Sequence, residues 1–213
     1  MDFKQQRSEM VERQLRRRGI HDPRVLAAMG ALPRENFLPP SERASSYVDD
    51  PVSIGYGQTI SQPYITALMV ECLELKGGEK VLEVGAGCGY HAAVLASLAS
   101  EVISIEYVPE LAEIARANLE AAGLSHKVRV ICGDGSTGYE AEAPYDAISV
   151  AAGAPEVPEV LLAQLKDPGR LVIPVGSRDE QELLVISREH GKDRTRVATY
   201  CRFVPLRGRE GWV

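Results

Sequence analysis

The stretch LEVGAGCGY at residues 82–90 decides the fold of this chain. It connects a short apolar run, which begins at residue 80, to a helix-like segment that starts at Tyr90. Closely spaced glycines allow positive φ angles and let a ligand approach the backbone. The first turn of the following helix offers free N–H groups to an anionic group. The stretch therefore predicts a strand, a ligand-binding glycine loop and a helix.

Strands and helices alternate after this loop. Four further apolar runs predict strands, at residues 101–106, 127–131, 145–150 and 169–175. Two other segments predict helices, at residues 109–122 and 157–165. This α/β alternation favours a doubly wound parallel sheet with helices on both faces, and such sheets bind ligands at the carboxyl ends of their strands. Two longer runs, 181–189 and 196–204, predict a C-terminal antiparallel hairpin.

The first 78 residues show a different pattern. One helix is predicted to end at Gly19, a second to begin at Asp22-Pro23, and a third to run from about residue 63 to residue 75. We expect residues 1–78 to form a helical extension on the substrate side, packed on a ligand-binding core of residues 79–213. The two parts are expected to make one compact domain.

Composition and charge exclude several classes of function. The 213 residues include 24 Lys and Arg against 30 Asp and Glu, a formal net charge of −6, which disfavours general binding of nucleic acid. No apolar run approaches the roughly 20 residues that span a bilayer, and the polar first ten residues do not resemble a signal peptide. The four cysteines lack metal-site spacing. We expect a cytoplasmic protein, acting as a monomer, with no nucleic-acid, membrane or metal partner.

The glycine loop and two acidic residues point to a nucleoside cofactor. The spacing G-x-G-x-G places Tyr90 where a dinucleotide site needs a small residue, which disfavours a nicotinamide-dependent oxidoreductase. Glu106 ends the next predicted strand, 17 residues after Gly89, and its carboxylate can accept hydrogen bonds from ribose hydroxyls. Asp134 follows the third strand and can reach an adenine amino group. This combination suits S-adenosylmethionine.

The predicted transfer site is short of proton acceptors. The segment SVAAGAP at 149–155 contains no Asn/Asp-Pro-Pro-aromatic motif, no Pro-Cys nucleophile and no acidic cluster, so an acceptor that arrives as an anion fits it best. Ser61 precedes the helix predicted near residue 63, and capping that helix remains open for it beside a functional role. The four histidines show no spacing that would make it a hydrolase nucleophile.

Several motifs together resemble the protein-L-isoaspartate O-methyltransferase family. GQTISQPY at 57–64 and LEVGAGCGY at 82–90 resemble that family most specifically. The resemblance continues through further segments, at residues 11–39, 133–135, 143–150, 169–176 and 202–208, and covers nearly the whole chain. It implies a Rossmann-like methyltransferase fold that binds S-adenosylmethionine, releases S-adenosylhomocysteine and uses no metal.

The resemblance also assigns residues. Ser61 is similar to the active-site serine of the family. The positions expected to bind the cofactor, from the resemblance and the loop pattern together, are Thr59, Ser61, Glu83, Gly85, Gly87, Gly89, Glu106, Tyr107, Asp134 and Gly135. Some members carry His shortly after the TIS-x-P motif, where this chain has Tyr64-Ile65-Thr66.

The implied activity is repair of damaged protein. A methyl group would move from S-adenosylmethionine to the free α-carboxylate of L-isoaspartyl residues in peptides and proteins. Because that carboxylate has a pKa of about 3.5, it is ionised at neutral pH and needs no general base. The N-terminal helices, the 40–60 segment and RFVPLRG at 202–208 would form the peptide groove. The alternatives are a methyltransferase of a small carboxylate or hydroxyl metabolite, and a cofactor-binding module without catalysis.

Overall fold

A seven-stranded sheet forms the centre of the molecule in the computed structural model, which describes residues 2–212. Its strands are β3 (Lys80–Val84), β4 (Glu101–Glu106), β5 (Val128–Cys132), β6 (Tyr145–Val150), β7 (Leu165–Gly176), β8 (Gln181–Glu189) and β9 (Lys192–Cys201). The strand order is β5-β4-β3-β6-β7-β8-β9. The first five are parallel, and β8 and β9 add an antiparallel hairpin. The predicted α/β fold and C-terminal hairpin are confirmed.

Helices and a small second sheet complete the chain. The helices are α1 (Phe3–Glu9), α2 (Pro23–Ala31), α3 (Pro63–Cys72), α4 (Tyr90–Ala96), α5 (Pro109–Ala121) and α6 (Glu159–Ala163). A π-helical segment and a 3₁₀ turn continue α1 as far as Arg18, and Gly19 ends them with a φ of 95°, as predicted. Two short strands, β1 (Val52–Gly55) and β2 (Gln58–Ile60), form an antiparallel pair.

Alternating side chains of the parallel strands supply two hydrophobic cores, one on each face of the sheet. Val81 and Val102 pack with α3, α4 and α5 on one face, and Leu82 and Ile103 pack with α6 on the other. The first core also contains residues of the N-terminal helices, among them Leu15 and Met29. Burial on both faces explains why the strands read as nearly continuous apolar runs.

Some predicted boundaries are wrong. The second hairpin strand begins at Lys192 rather than at residue 196, because the turn consists only of His190 and Gly191, both with positive φ. Such a two-residue turn matches the twist of the flanking strands. The helix predicted over 157–165 is limited to α6, and β7 begins at Leu165. No helix within residues 2–212 combines the length and apolarity needed to cross a bilayer.

Candidate functional site

A crevice lies at the carboxyl ends of β3, β4 and β6, where a doubly wound sheet binds its ligands. We call it the strand-end crevice. Its walls include the side chains or backbone of Thr59, Gly85, Gly87, Glu106, Tyr107, Gly135, Ala151 and Leu206. Six of the predicted cofactor-binding positions therefore meet in one cavity.

Glu106 is tied to the glycine loop, residues 85–89. Its two carboxylate oxygens accept hydrogen bonds from the backbone N–H groups of Gly87, at 2.7 Å, and Val108, at 2.9 Å. The side chain is buried but lines the crevice. Each carboxylate oxygen can accept two hydrogen bonds, so Glu106 can hold the loop and still accept from a ligand hydroxyl.

Glycine is required at two positions of the crevice. Gly87 has a φ of 54°, and a Cβ there would lie 3.2 Å from Cδ1 of Ile54. A Cβ on Gly135 would lie 2.8 Å from Cγ1 of Val84. The absence of a Cβ at these positions therefore lets the backbone pack closely against neighbouring side chains at the edge of the crevice. Gly89 does not line the crevice, and a Cβ there would lie 3.1 Å from the carbonyl oxygen of Ala115 in α5, so its predicted contact with the cofactor stays a prediction.

Glu83 lies beneath the crevice rather than in its wall. It is fully buried on β3, where Ser104 donates a hydrogen bond to one of its oxygens, and its Oε1 has no partner among the described residues. Burial raises the pKa of Glu83 to about 8, against a lowering effect of the Ser104 hydrogen bond. Ser149 is the β6 neighbour of Glu83 and lies 3.1 Å from Nε2 of His91. Burial lowers the pKa of His91 to about 4.

Asp134 joins the site to the C-terminal strap, residues 204–212. One carboxylate oxygen accepts hydrogen bonds from N and Oγ of Ser136, and the other accepts from the backbone N–H of Arg209 at 2.8 Å. The hydroxyl of Ser136 in turn accepts from the backbone N–H of Glu210 at 3.0 Å. The strap covers the crevice with residues 204–207. Asp134 itself does not line the crevice, so its predicted contact with adenine stays a prediction.

A second cavity, the lateral groove, adjoins the strand-end crevice and has a volume of about 220 Å³. Thr59 and Ala151 line both cavities and therefore mark where they meet. Its walls include Arg18, residues between 51 and 65, Ala151 and residues 199–204, which overlap in part with the segments predicted to form a peptide groove. Its polar lining includes Arg18, Ser61, Gln62, Tyr64, Thr199 and Arg202, and no Asp, Glu or His.

Ser61 lies in the lateral groove and does not line the strand-end crevice, so its predicted contact with the cofactor stays a prediction. Its side chain makes no hydrogen bond to a described residue. The capping role considered for it is wrong, since Gln62 occupies the N-cap of α3 and no side chain caps that helix. The carbonyl oxygen of Ser61 accepts a hydrogen bond from Nη2 of Arg34 at 2.7 Å.

Two arginines that contribute to the site were not predicted from the sequence. Arg34 is fully buried beneath Ser61, although arginine is seldom buried. Arg18 stacks on the ring of Tyr64, 3.8 Å from the ring centroid, and pairs with Asp49. For Arg16 to Arg18 the ordinary expectation is a solvated helix face. The local sequence indicates neither the burial of Arg34 nor the contacts of Arg18.

The comparisons with known proteins agree with this geometry. The family model described as protein-L-isoaspartate(D-aspartate) O-methyltransferase matches residues 5–211. The chain belongs to the protein-L-isoaspartate O-methyltransferase family. A relative from Marinobacter nauticus, protein-L-isoaspartate O-methyltransferase 2, is 55% identical over 99% of this chain and 97% of its own. The protein-L-isoaspartate O-methyltransferase of Methanoculleus marisnigri is 50% identical over 98% of this chain and 94% of its own.

Solved structures of protein-L-isoaspartate O-methyltransferases share the fold. One so named is 33% identical with a TM-score of 0.85, covering 96% of this chain and 67% of its own. A protein of this type from Plasmodium falciparum, in complex with S-adenosyl-L-homocysteine, is 28% identical with a TM-score of 0.81, covering 94% and 98% of the two chains. The predicted family, Rossmann-like methyltransferase fold and S-adenosylmethionine cofactor are confirmed. Membership of this family also favours the predicted activity over that of a small-metabolite methyltransferase.

Proposed function

We propose that this chain methylates the α-carboxylate of L-isoaspartyl residues in peptides and damaged proteins. The observation that carries the proposal is the lateral groove. It meets the strand-end crevice at Thr59 and Ala151, and its charged lining consists of Arg18 and Arg202 without a carboxylate or an imidazole. Such a groove offers no base to deprotonate a neutral acceptor. Its two guanidinium groups, which pair with Asp49 and Asp179 outside the lining, favour an anionic one.

The residues of the strand-end crevice fit the cofactor. Gly87 and Gly135 line the cavity, and the largely buried side chain of Glu106 lines it beside them. Glu106 would accept hydrogen bonds from the ribose hydroxyls, with Tyr107 and Gly135 beside the nucleoside. Thr59 and the glycine loop would hold the amino-acid end. When bound, S-adenosylmethionine supplies an electrophilic methyl group and is converted to S-adenosylhomocysteine.

Ser61 would orient the acceptor. Its free hydroxyl can donate one hydrogen bond to the substrate carboxylate and so direct the other oxygen toward the crevice. Holding two reactants in line converts a bimolecular encounter into an effectively unimolecular step. Cys201 also lines the groove, but burial raises the pKa of its thiol to about 11, so it is neutral and supplies no base.

The remaining proposals concern the whole chain. We infer one compact domain, in which residues 1–78 form a substrate-side extension packed on the cofactor-binding core of residues 79–213, since residues of both parts share one hydrophobic core. We also propose that the protein acts as a monomer in the cytoplasm on isoaspartyl-containing peptides and proteins.

A matched pair of peptides tests the proposed function. The two peptides differ only in having L-isoaspartate or L-aspartate at one position, and each is incubated with the enzyme and S-adenosylmethionine labelled in its methyl group. We expect label in the isoaspartyl peptide and little in the aspartyl peptide. Equal labelling of both, or labelling only of small carboxylic acids, would contradict the proposal.

A further inference from the structure

Arg34 is a buried cation that is hydrogen-bonded to the segment containing Ser61. Its side chain is 0% exposed and donates from Nε to the carbonyl of Ser46 and from Nη2 to the carbonyl of Ser61, both at 2.7 Å. Its guanidinium also lies 5.0 Å from the centroid of the Tyr90 ring. The remaining nitrogen, Nη1, has no partner within residues 2–212. One side chain thus fixes two loops that are distant in sequence.

No anion in the described part of the chain compensates this charge. Arg34 forms no ion pair with a described Asp or Glu, whereas Glu35 pairs with Arg7. The titratable groups that face Arg34 are phenols and a thiol. Burial raises the pKa of Tyr90 to about 12 and that of Cys88 to about 11, and burial also raises the pKa of Tyr47. All three are neutral at physiological pH, while the guanidinium stays charged.

An uncompensated buried charge is costly to the folded state. Moving a cation out of water costs several kcal/mol unless an anion or a full set of hydrogen bonds offsets it. Hydrogen bonds to two carbonyl groups do not require a charged donor, because a neutral amide also offers two N–H groups. The charge therefore lacks a structural reason within the described chain, and the adjoining lateral groove is where an anion is expected to bind.

We propose that Arg34 is a positioning residue that holds the Ser61 peptide at the groove and supplies the positive charge that the acceptor carboxylate faces across it. The inference rests on the proposed function. Arg34 acts through Ser61, because it does not itself line the groove or the crevice. Since the guanidinium is buried, its charge is screened by salt far less than the charges of the exposed groove residues Arg18 and Arg202.

Binding of two peptides measures the effect of the charge without turnover. One peptide carries L-isoaspartate with its free α-carboxylate, and the other carries the neutral α-carboxamide at the same position. Calorimetry with saturating S-adenosylhomocysteine gives the ratio of their dissociation constants for each protein. We expect the wild-type protein to prefer the carboxylate by about tenfold or more, the size expected for a buried cation acting on an anion at an intermediate effective dielectric constant.

Two substitutions separate charge from shape. Arg34→Lys retains the charge and should keep most of the preference, whereas Arg34→Gln should reduce it to within about threefold. The matched control is Arg116→Gln, because Arg116 donates to the carbonyl of Val130 at 3.1 and 2.9 Å, away from the groove. The control should keep the wild-type ratio. An unchanged ratio in Arg34→Gln would overturn the proposal.

A measurement on the unmodified enzyme covers the case in which the variants do not fold. The preference for the carboxylate should change by less than about twofold between low and high salt, because a buried charge is poorly screened. Loss of the preference at high salt would assign it to Arg18 and Arg202 and overturn the role of Arg34. If the wild-type protein binds neither peptide better than the aspartyl form, the proposed function itself fails, and this inference fails with it.

Discussion

Ser61 is the residue on which the transfer step depends most in this account. Because its hydroxyl caps no helix and bonds to no described side chain, Ser61→Ala should change the free energy of unfolding by less than about 0.5 kcal/mol, as for an ordinary surface substitution. Turnover should fall while the affinity for S-adenosylmethionine stays the same. Thermal unfolding, calorimetry and methyl transfer measured on one preparation check this. Ser53→Ala, on the exposed side of β1, is the control, and a fully active Ser61→Ala protein would remove the hydroxyl from the mechanism.

Glu106 should determine cofactor affinity. Glu106→Ala removes an acceptor of charged hydrogen bonds and also frees the N–H of Gly87, so the affinity for S-adenosylmethionine should weaken by about 1–3 kcal/mol. Glu110→Ala, at the exposed first turn of α5, removes the same charge nearby and should leave the affinity unchanged. Titration calorimetry distinguishes the two variants. Wild-type affinity in a folded Glu106→Ala protein would exclude the ribose contact.

Glu83 should make stability fall as pH rises. Its pKa is about 8 when folded and near the ordinary 4.5 when unfolded, so between these values the unfolded state binds fewer protons, and stability decreases with pH. The pKa of His91 is about 4 in the folded protein and near the ordinary 6.5 in the unfolded chain. Its titration therefore makes stability rise with pH, but only below about pH 6.5. In the wild-type protein the ionisation of Glu83 should lower the free energy of unfolding by about 2 kcal/mol between pH 6.5 and pH 8. Glu83→Gln should not show this decrease. Denaturant unfolding at both pH values measures the free energy of unfolding. The same change with pH in the wild-type and Glu83→Gln proteins would contradict the raised pKa of Glu83.

At the scale of elements, the parallel strands were predictable because burial on both faces leaves continuous apolar runs. The β1–β2 pair was not predicted, although Val52 and Ile54 alternate with exposed residues and the turn between the strands has positive φ at Tyr56 and Gly57. The pair is short, and its pattern is hidden within a glycine-rich segment. Burial of Arg34 could not be predicted, since it depends on carbonyl groups 12 and 27 residues away.

The C-terminal strap should be held by Asp134 and Ser136 together. Asp134→Ala and Ser136→Ala each remove an acceptor for a strap N–H group, so hydrogen exchange at residues 209 and 210 should accelerate in both. If Asp134 also contacts adenine, Asp134→Ala should weaken cofactor binding clearly more than Ser136→Ala does. Exchange measured by mass spectrometry and affinity measured by calorimetry separate the two roles. Unchanged exchange in both variants would show that these bonds do not hold the strap.

At the scale of the whole molecule, the site is an assembly of segments that the sequence keeps apart. The glycine loop and Glu106 could be recognised because spacing along the chain defines a strand–loop–helix–strand unit. The approach of residues 199–204 to Ser61 and of residue 209 to Asp134 depends on tertiary packing. Their motifs resemble those of one family, but local sequence patterns alone do not predict that these segments lie next to one another in the fold.

The central claim is that the acceptor is a carboxylate, and the stability of the product tests it most directly. A methyl ester beside a peptide N–H is labile, because the nitrogen attacks the ester carbonyl and expels methanol. After transfer of labelled methyl to an isoaspartyl peptide, the pH is raised to mildly alkaline values and volatile label is collected. We expect the label to leave the peptide as methanol. Label that stays on the peptide through alkali would indicate methylation of nitrogen or of a hydroxyl group, and would contradict the account.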